Sequence, residues 1–199
     1  PMNKTSRFLN AALLMAALLL PCLSQGQGVA IGNGSCNSEI PLMMGSWHSL
    51  VQMKYSSTQV NETGYIGAFD LCHPVTAIDD GITSDTLRIW MGVSSTDVFD
   101  NAWVAGDSLT EVYHGTAVML PGGNPKDYWV RFVLDTPFYY DATAGQALVI
   151  AIGKSAHILG LPRQFRCTSS QLGNKVRYRT GNYSSEASYA TLAGIENGV

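Results

Sequence analysis

From about residue 49 to residue 180 the chain repeats one kind of pattern. A short run of β-branched and aromatic residues is followed by a cluster of Gly, Asn, Asp, Ser or Pro. Thr86 to Val93 alternates, so Leu87, Ile89, Met91 and Val93 share one face and Trp90 points the other way. Tyr128 to Leu134 does the same. Tyr128, Val130, Phe132 and Leu134 are assigned to the core and Trp129 to the opposite face. Ala147 to Ile152 is apolar on both faces, which suits a central strand covered on two sides. Further strands are expected over 49–55, 65–71, 110–120 and 175–180. Pro121-Gly122-Gly123-Asn124-Pro125 reads as a turn, and Asp135-Thr136-Pro137 reads as the end of a strand. No convincing amphipathic helix, internal repeat or low-complexity linker interrupts this series. Many short strands joined by polar turns predict an all-β fold, a β-sandwich of mainly antiparallel strands, jelly-roll-like or Ig-like.

The first residues follow a different pattern. Met2 to Arg7 is a short basic head, Phe8 to Leu20 is apolar except for Asn10, and Pro21 is followed by small and polar residues. This is the layout of a secretory signal peptide, expected over residues 1–26. Cleavage fits after Ser24 or after Gly26. The apolar run is shorter than the roughly 20 residues a bilayer requires, so no membrane span is expected in the mature chain. Lipid attachment at Cys22 is the rival reading, but it wants a small residue where Pro21 stands. The chain is therefore expected to be secreted or displayed at the cell surface.

Charge narrows the partners. The sequence has 12 Lys and Arg against 15 Asp and Glu, net −3, and the leader holds two of the basic residues and none of the acidic ones. A mature chain this acidic does not track a phosphate backbone, so no nucleic-acid partner is expected. Cys36, Cys72 and Cys167 remain after processing. Export permits a disulfide; buried thiols and one bridge among the three both fit.

Several segments in order carry a resemblance. They are Ile31-Gly32-Asn33-Gly34, Ser49 to Tyr55, Ile89-Trp90-Met91-Gly92 with Thr96 and Phe99, Val112-Tyr113-His114-Gly115, Leu134 to Asp141, and Ala147 to Ile150. Together they resemble a module of secreted and cell-surface multidomain proteins of Bacteroidota, with the pattern IGxG, SxxQxIY, IYMGxT, VYxG, LDTPFxYDG and NLVI. The resemblance spans about residues 30 to 190. It implies a β-sandwich near the N-terminus of a longer polypeptide, followed by downstream domains. In this chain Met53-Lys54-Tyr55 departs from the Q-x-I-Y spacing, and Ala144 to Ala147 departs from G-x-S-N. The family's closing strand has no counterpart before Val199. Residues 27–199 are therefore expected to be a module truncated at its C-terminal end, with Ser184 to Val199 poorly anchored. In that segment of the resemblance, Phe138 is expected to plug the core and Tyr140 to anchor a loop. The resemblance also draws attention to Asp85-Thr86-Leu87 and Asp107-Ser108-Leu109. They match a short Bacteroidota O-glycosylation signal, with Thr86 and Ser108 as acceptors.

Candidate chemistry is sparse. His48, His73, His114 and His157 are isolated in sequence, and no nucleophile elbow or zincin motif occurs. No catalytic residue is assigned, and the chain is expected not to be an enzyme. Asp79, Asp80 and Asp85 form an acid-rich turn that a structural calcium ion would suit, although a solvated turn before a strand is the plainer reading. Asp97, Asp100 and Asp107 form a second acid-bearing loop open to the same two readings. No other cofactor is expected. The best binding candidates are Trp90, Trp129, Trp47 and Trp103, because an exposed indole offers a flat apolar face with a polar handle. Coverage by a second layer or a neighbouring domain is the competing explanation. The expected function is that of a non-catalytic surface module binding a glycan or protein ligand, or spacing other domains. The alternative is an accessory domain of a secreted hydrolase, most simply a peptidase with its catalytic domain downstream.

Overall fold

Strand β9 (Ala147–Ser155) shows most directly why the fold is a sandwich. Every one of its residues is buried. It is the middle strand of a five-stranded antiparallel sheet whose order is β11-β2-β9-β5-β6. Its neighbours are β2 (His48–Tyr55) and β5 (Thr86–Ser94), flanked in turn by β11 (Val176–Gly181) and β6 (Thr110–Gly115). A strand with apolar side chains on both faces is stable only where both faces are covered, and here they are. The computed structural model describes residues 28–32, 34–43, 45–74, 82–83, 86–116, 118–119, 127–155, 164–168 and 174–181. The signal-peptide segment, the Pro121–Pro125 turn and the expected loose end from Ser184 to Val199 lie outside the described residues.

One face of this sheet packs against a long two-stranded ribbon of β3 (Gly64–Pro74) and β8 (Asp127–Tyr140). Period two sets what meets there. Val51, Met53, Leu87, Ile89, Met91, Leu148, Ile150 and Ile152 come from the sheet, and Val130, Phe132 and Leu134 come from the ribbon. Phe132 stacks on Phe69 at 5.0 Å between ring centroids and meets the edge of Tyr113 at 5.7 Å. Two short pairs complete the described strands: β1 (Cys36–Ser38) with β10 (Phe165–Cys167), and β4 (Ile82–Thr83) with β7 (Val118–Met119). The all-β sandwich expected from the alternation is the observed architecture. Its one α-helix among the described residues is α1, a single turn over Ser57–Val60 closed by a capping box from Ser56 and Gln59.

The structure corrects three local expectations. Among the described residues the strand expected over 110–120 appears as two, β6 and β7, and Thr116 belongs to neither. Asp135-Thr136-Pro137 does not end β8. Val133 pairs with Ala68 and Phe138 with Ile66, so the intervening ribbon residues form an irregularity opposite Gly67. Such a bulge tolerates a proline, because no ladder hydrogen bond is required of it there. Val93 is exposed rather than buried, one residue before β5 ends at Ser94.

Cys36 and Cys167 are joined by a disulfide across β1 and β10, and Cys72 is not disulfide-bonded. The bridge ties the first strand of the unit to a strand 131 residues later. β10 lies beside β3, where His73 Nδ1 is 2.6 Å from the Gln164 carbonyl oxygen and the imidazole packs on Phe165.

Candidate binding surface

Two faces decide where the tryptophans go. The first is the side of the five-stranded sheet turned away from the ribbon. Leu50, Trp90, Leu109, Val149 and Ala151 cluster there, with Trp103 and Val104 packed against them. The segment between β5 and β6 folds back over this face and covers it. Polar side chains of β2 hold it in place. The Gln52 carboxamide donates to the Val104 carbonyl at 2.8 Å and accepts from the Val104 N–H at 2.9 Å, imitating one rung of a β-ladder. The Lys54 ammonium donates to Ser94 Oγ, Thr96 Oγ1 and the Val98 carbonyl at 3.0, 3.1 and 2.8 Å, and lies 4.6 Å from the centre of the Phe99 ring. Burial lowers the Lys54 pKa from 10.5, against the opposing pull of Asp100 and Asp97. Lys175 adds a 2.7 Å ion pair to Asp97, which holds that carboxylate below its ordinary pKa.

Trp90 is therefore not a surface residue. It is 6% exposed, buried beneath this segment, which corrects the expectation of a solvated face. Trp103 belongs to the same cover, with the Arg177 guanidinium 5.5 Å from its ring centre. Trp47 is half-buried, and its carbonyl accepts a 3.5 Å hydrogen bond from the buried Lys154 ammonium, which also reaches the Ser46 carbonyl. Asp97 and Asp100 belong to the cover's charge balance, and no group of three His, Cys, Asp or Glu among the described residues is placed to hold a metal. Asp79, Asp80 and Asp85 lie outside the described residues. Thr86 opens β5 half-buried, whereas Ser108 is exposed at the end of the turn Gly106–Ser108.

The second face is the outer side of the β3–β8 ribbon, and it is open. Register places the pairs Cys72 with Trp129, Asp70 with Arg131, Ala68 with Val133, and Tyr65 with Tyr139 in succession. Trp129 is 58% exposed, Val133 65%, Tyr139 53% and Tyr65 76%. Trp129 is thus the one of the four candidate tryptophans that stands in solvent. The ring centroids of Tyr65 and Tyr139 are 5.2 Å apart in an edge-to-face pair. Between the aromatic ends, Arg131 clamps Asp70 through two hydrogen bonds of 2.9 and 2.8 Å, which raises the guanidinium pKa further. On β3 the partners of Trp129 and Tyr139, Cys72 and Tyr65, are seven positions apart, a run of about 23 Å for extended chain. The result is an apolar and aromatic row with a charged pair in its middle.

Tyr65, Tyr139 and the Arg131–Asp70 pair were not among the sequence candidates. The alternation that placed Trp129 outward also placed Arg131 and Val133 there, so that signal was present. The pairing of the two tyrosines depends on the β3–β8 register, which the sequence does not disclose.

The recurrent motif residues belong to the frame. A side chain at Gly92 would bring its Cβ within 2.5 Å of Leu109 Cδ2 and 2.8 Å of the Ser108 carbonyl oxygen. Asp135 accepts the backbone N–H of His114 at 2.8 Å, on the edge strand β6. Tyr140 is buried, and its hydroxyl donates to the Gln146 carbonyl at 2.7 Å, while the half-buried Phe138 packs against the core. Gln52 holds the covering segment at Val104, and Thr96 and Phe99 of that segment contact Lys54. No model of a known protein family, no curated protein and no solved structure matches the chain.

Proposed function

We propose that this chain is an exported, non-catalytic β-sandwich module that binds its ligand through the outer face of the β3–β8 ribbon. The observation that carries the proposal is the exposed row of Trp129, Val133, Tyr139 and Tyr65 on the second layer of the sandwich. Single exposed apolar residues are ordinary, but three exposed aromatic rings and Val133 along one side of a ribbon favour an interaction surface. Aromatic rings supply large contact area with little conformational freedom to lose, and the Arg131–Asp70 pair adds polar groups that fix orientation.

Three further observations support the rest of the reading. The leader pattern and the Cys36–Cys167 disulfide both suit an oxidising compartment outside the cytoplasm. No helix among the described residues is long and apolar enough to cross a membrane. The described histidines serve packing or edge positions: His48 is buried in β2, His73 packs on Phe165, and His114 lies beside Glu111 on β6. The ordered motifs favour a surface module of the Bacteroidota type, with further domains of the same polypeptide as neighbours.

The test is retention on immobilised glycans and extracellular-matrix proteins, comparing the chain with a Trp129→Ser, Val133→Ser, Tyr139→Ser variant. Retention that is lost in this variant and kept in Trp103→Phe supports the assignment. Equal retention of all three forms, or none, refutes it.

A further inference from the structure

Beside the aromatic row lies a hollow of about 230 Å³ lined by Ser57, Thr58, Asn61, Thr63, Ala142 and Thr143. It sits where α1 approaches the turn Ala142–Ala144. Thr63 precedes β3 and Asp141 follows β8, so the Thr63–Asp141 contact lies two register positions beyond Tyr65 and Tyr139, past the Gly64–Tyr140 pair. The hollow and the tyrosine pair are therefore adjoining parts of one end of the ribbon.

The hydrogen bonding of this end is directional. Asp141 Oδ1 accepts from Thr143 N–H at 2.8 Å, from Thr143 Oγ1 at 2.6 Å and from Thr63 Oγ1 at 3.2 Å. Both threonine hydroxyls spend their protons on the carboxylate. Thr143 Oγ1 keeps its lone pairs for an incoming donor, while Thr63 Oγ1 also accepts the Ala142 N–H at 3.0 Å. The carboxylate stays ionised because these bonds, that from Thr143 first, hold its pKa below 3.8. Asn61 ends α1 in the left-handed region at φ 49°, and its side-chain carboxamide carries both donors and an acceptor. Ser57 adds a hydroxyl able to do either. Oriented acceptors beside mixed donors match a ligand bearing several hydroxyl groups.

Charge and size restrict the class further. None of the lining residues is charged, and two of them, Thr63 and Thr143, are hydrogen-bonded to the Asp141 carboxylate, so the lining offers an anionic ligand no cation of its own. The volume is below the roughly 300 Å³ at which drug-sized pockets begin, so the hollow suits one ring, with adjoining units lying over the exposed tyrosine pair. The edge-to-face geometry leaves ring surface for the C–H face of a sugar.

We propose that the hollow between α1 and the Ala142–Ala144 turn, with Tyr65 and Tyr139 beside it, is a subsite for a neutral saccharide. This rests on the binding-module reading above and adds to it the ligand class and the end of the face where that ligand is held.

The test is affinity electrophoresis of the full chain in gels containing dextran, galactomannan or arabinogalactan, with polygalacturonate as the anionic counterpart. Retardation by at least one neutral polysaccharide is expected, with little by polygalacturonate. Tyr65→Ala/Tyr139→Ala and Asn61→Gly/Thr143→Val should each weaken it about tenfold or more, and glycine at position 61 preserves the backbone conformation. Unchanged urea midpoints certify that the variants fold, and the single Tyr65→Ala variant serves if the double one does not. Retardation lost in the tyrosine variant but kept in Asn61→Gly/Thr143→Val overturns the subsite while leaving the binding face intact. No retardation by any neutral polysaccharide, or equal retardation by polygalacturonate, also overturns it. In those cases retention on protein surfaces that depends on Trp129 still decides the broader reading separately.

Discussion

Replacing Gln52 tests the packing account at the point where a polar residue does the work of a strand. Gln52 is fully buried in β2 and holds Val104 through its N–H and its carbonyl. Leucine at this position keeps the volume and loses both bonds. Each such bond contributes a net of about 1 kcal/mol, and a buried group left unsatisfied costs about 1–3 kcal/mol. Val104 is half-buried, so water reaches part of it once the segment loosens. Gln52→Leu should therefore cost about 2–3 kcal/mol. Gln52→Glu should cost more at neutral pH, because a buried carboxylate faces the Val104 carbonyl. Burial and the facing carbonyl raise the folded pKa of such a Glu, and its protonated form regains an O–H donor, so its deficit should shrink as pH falls through that raised value and level off by about 4.3, the ordinary glutamate value. Urea unfolding followed by tryptophan fluorescence measures both, and hydrogen exchange over 96–105 locates the loosened segment. A loss below about 0.5 kcal/mol for Gln52→Leu, within the range of neutral surface changes, would refute the reasoning. So would equal losses for the two variants at pH 7.

Other expectations follow from the same packing. Phe132→Ala should cost about 3–5 kcal/mol, whereas Trp129→Ala, on the open face, should stay within about 0.5 kcal/mol; urea midpoints of the two compare them directly. Gly92→Ala should cost about 1–3 kcal/mol by overpacking against Leu109 and the Ser108 carbonyl, read as a drop in thermal midpoint. Peptide mapping without reductant should recover Cys36 linked to Cys167, and Cys36→Ser should cost about 2–5 kcal/mol. Asp141 has a depressed pKa in the folded chain, so its contribution is present above 3.8 and is lost as pH falls through the folded value. Asp141→Asn should flatten the acid side of the stability curve there, and an unchanged acid limb would contradict the cap.

Most of the frame was legible because period two leaves little freedom once a face is buried. Ile89, Phe132, Leu134 and Ile150 had to point inward, and they do. Legibility failed where coverage comes from a distant segment. Trp90 alternates outward correctly, but nothing in its own strand announces that residues 95–109 return over it. The signals for that cover are Gln52 and Lys54, whose residue types suggest solvent and whose partners are atoms at the end of β5 and in the covering segment. Pro137 marked a real irregularity, but a bulge and a strand end share the same local chemistry. The disulfide partner of Cys36 was undecidable among three cysteines, since pairing is a matter of the β1–β10 register. On the binding side, Trp129 was legible from alternation, while the Tyr65–Tyr139 pair and the hollow beside it exist only through β3–β8 pairing.

Hydroxyl-radical footprinting, with and without the neutral polysaccharide that retards the chain, reads the outer ribbon face residue by residue. Protection is expected at Trp129, Tyr65 and Tyr139 on that face, with Trp90 unreactive in both states and Tyr178 on β11 unchanged. Protection confined to β11 or β6, or no ligand-dependent change on β3 and β8, would contradict binding through that face.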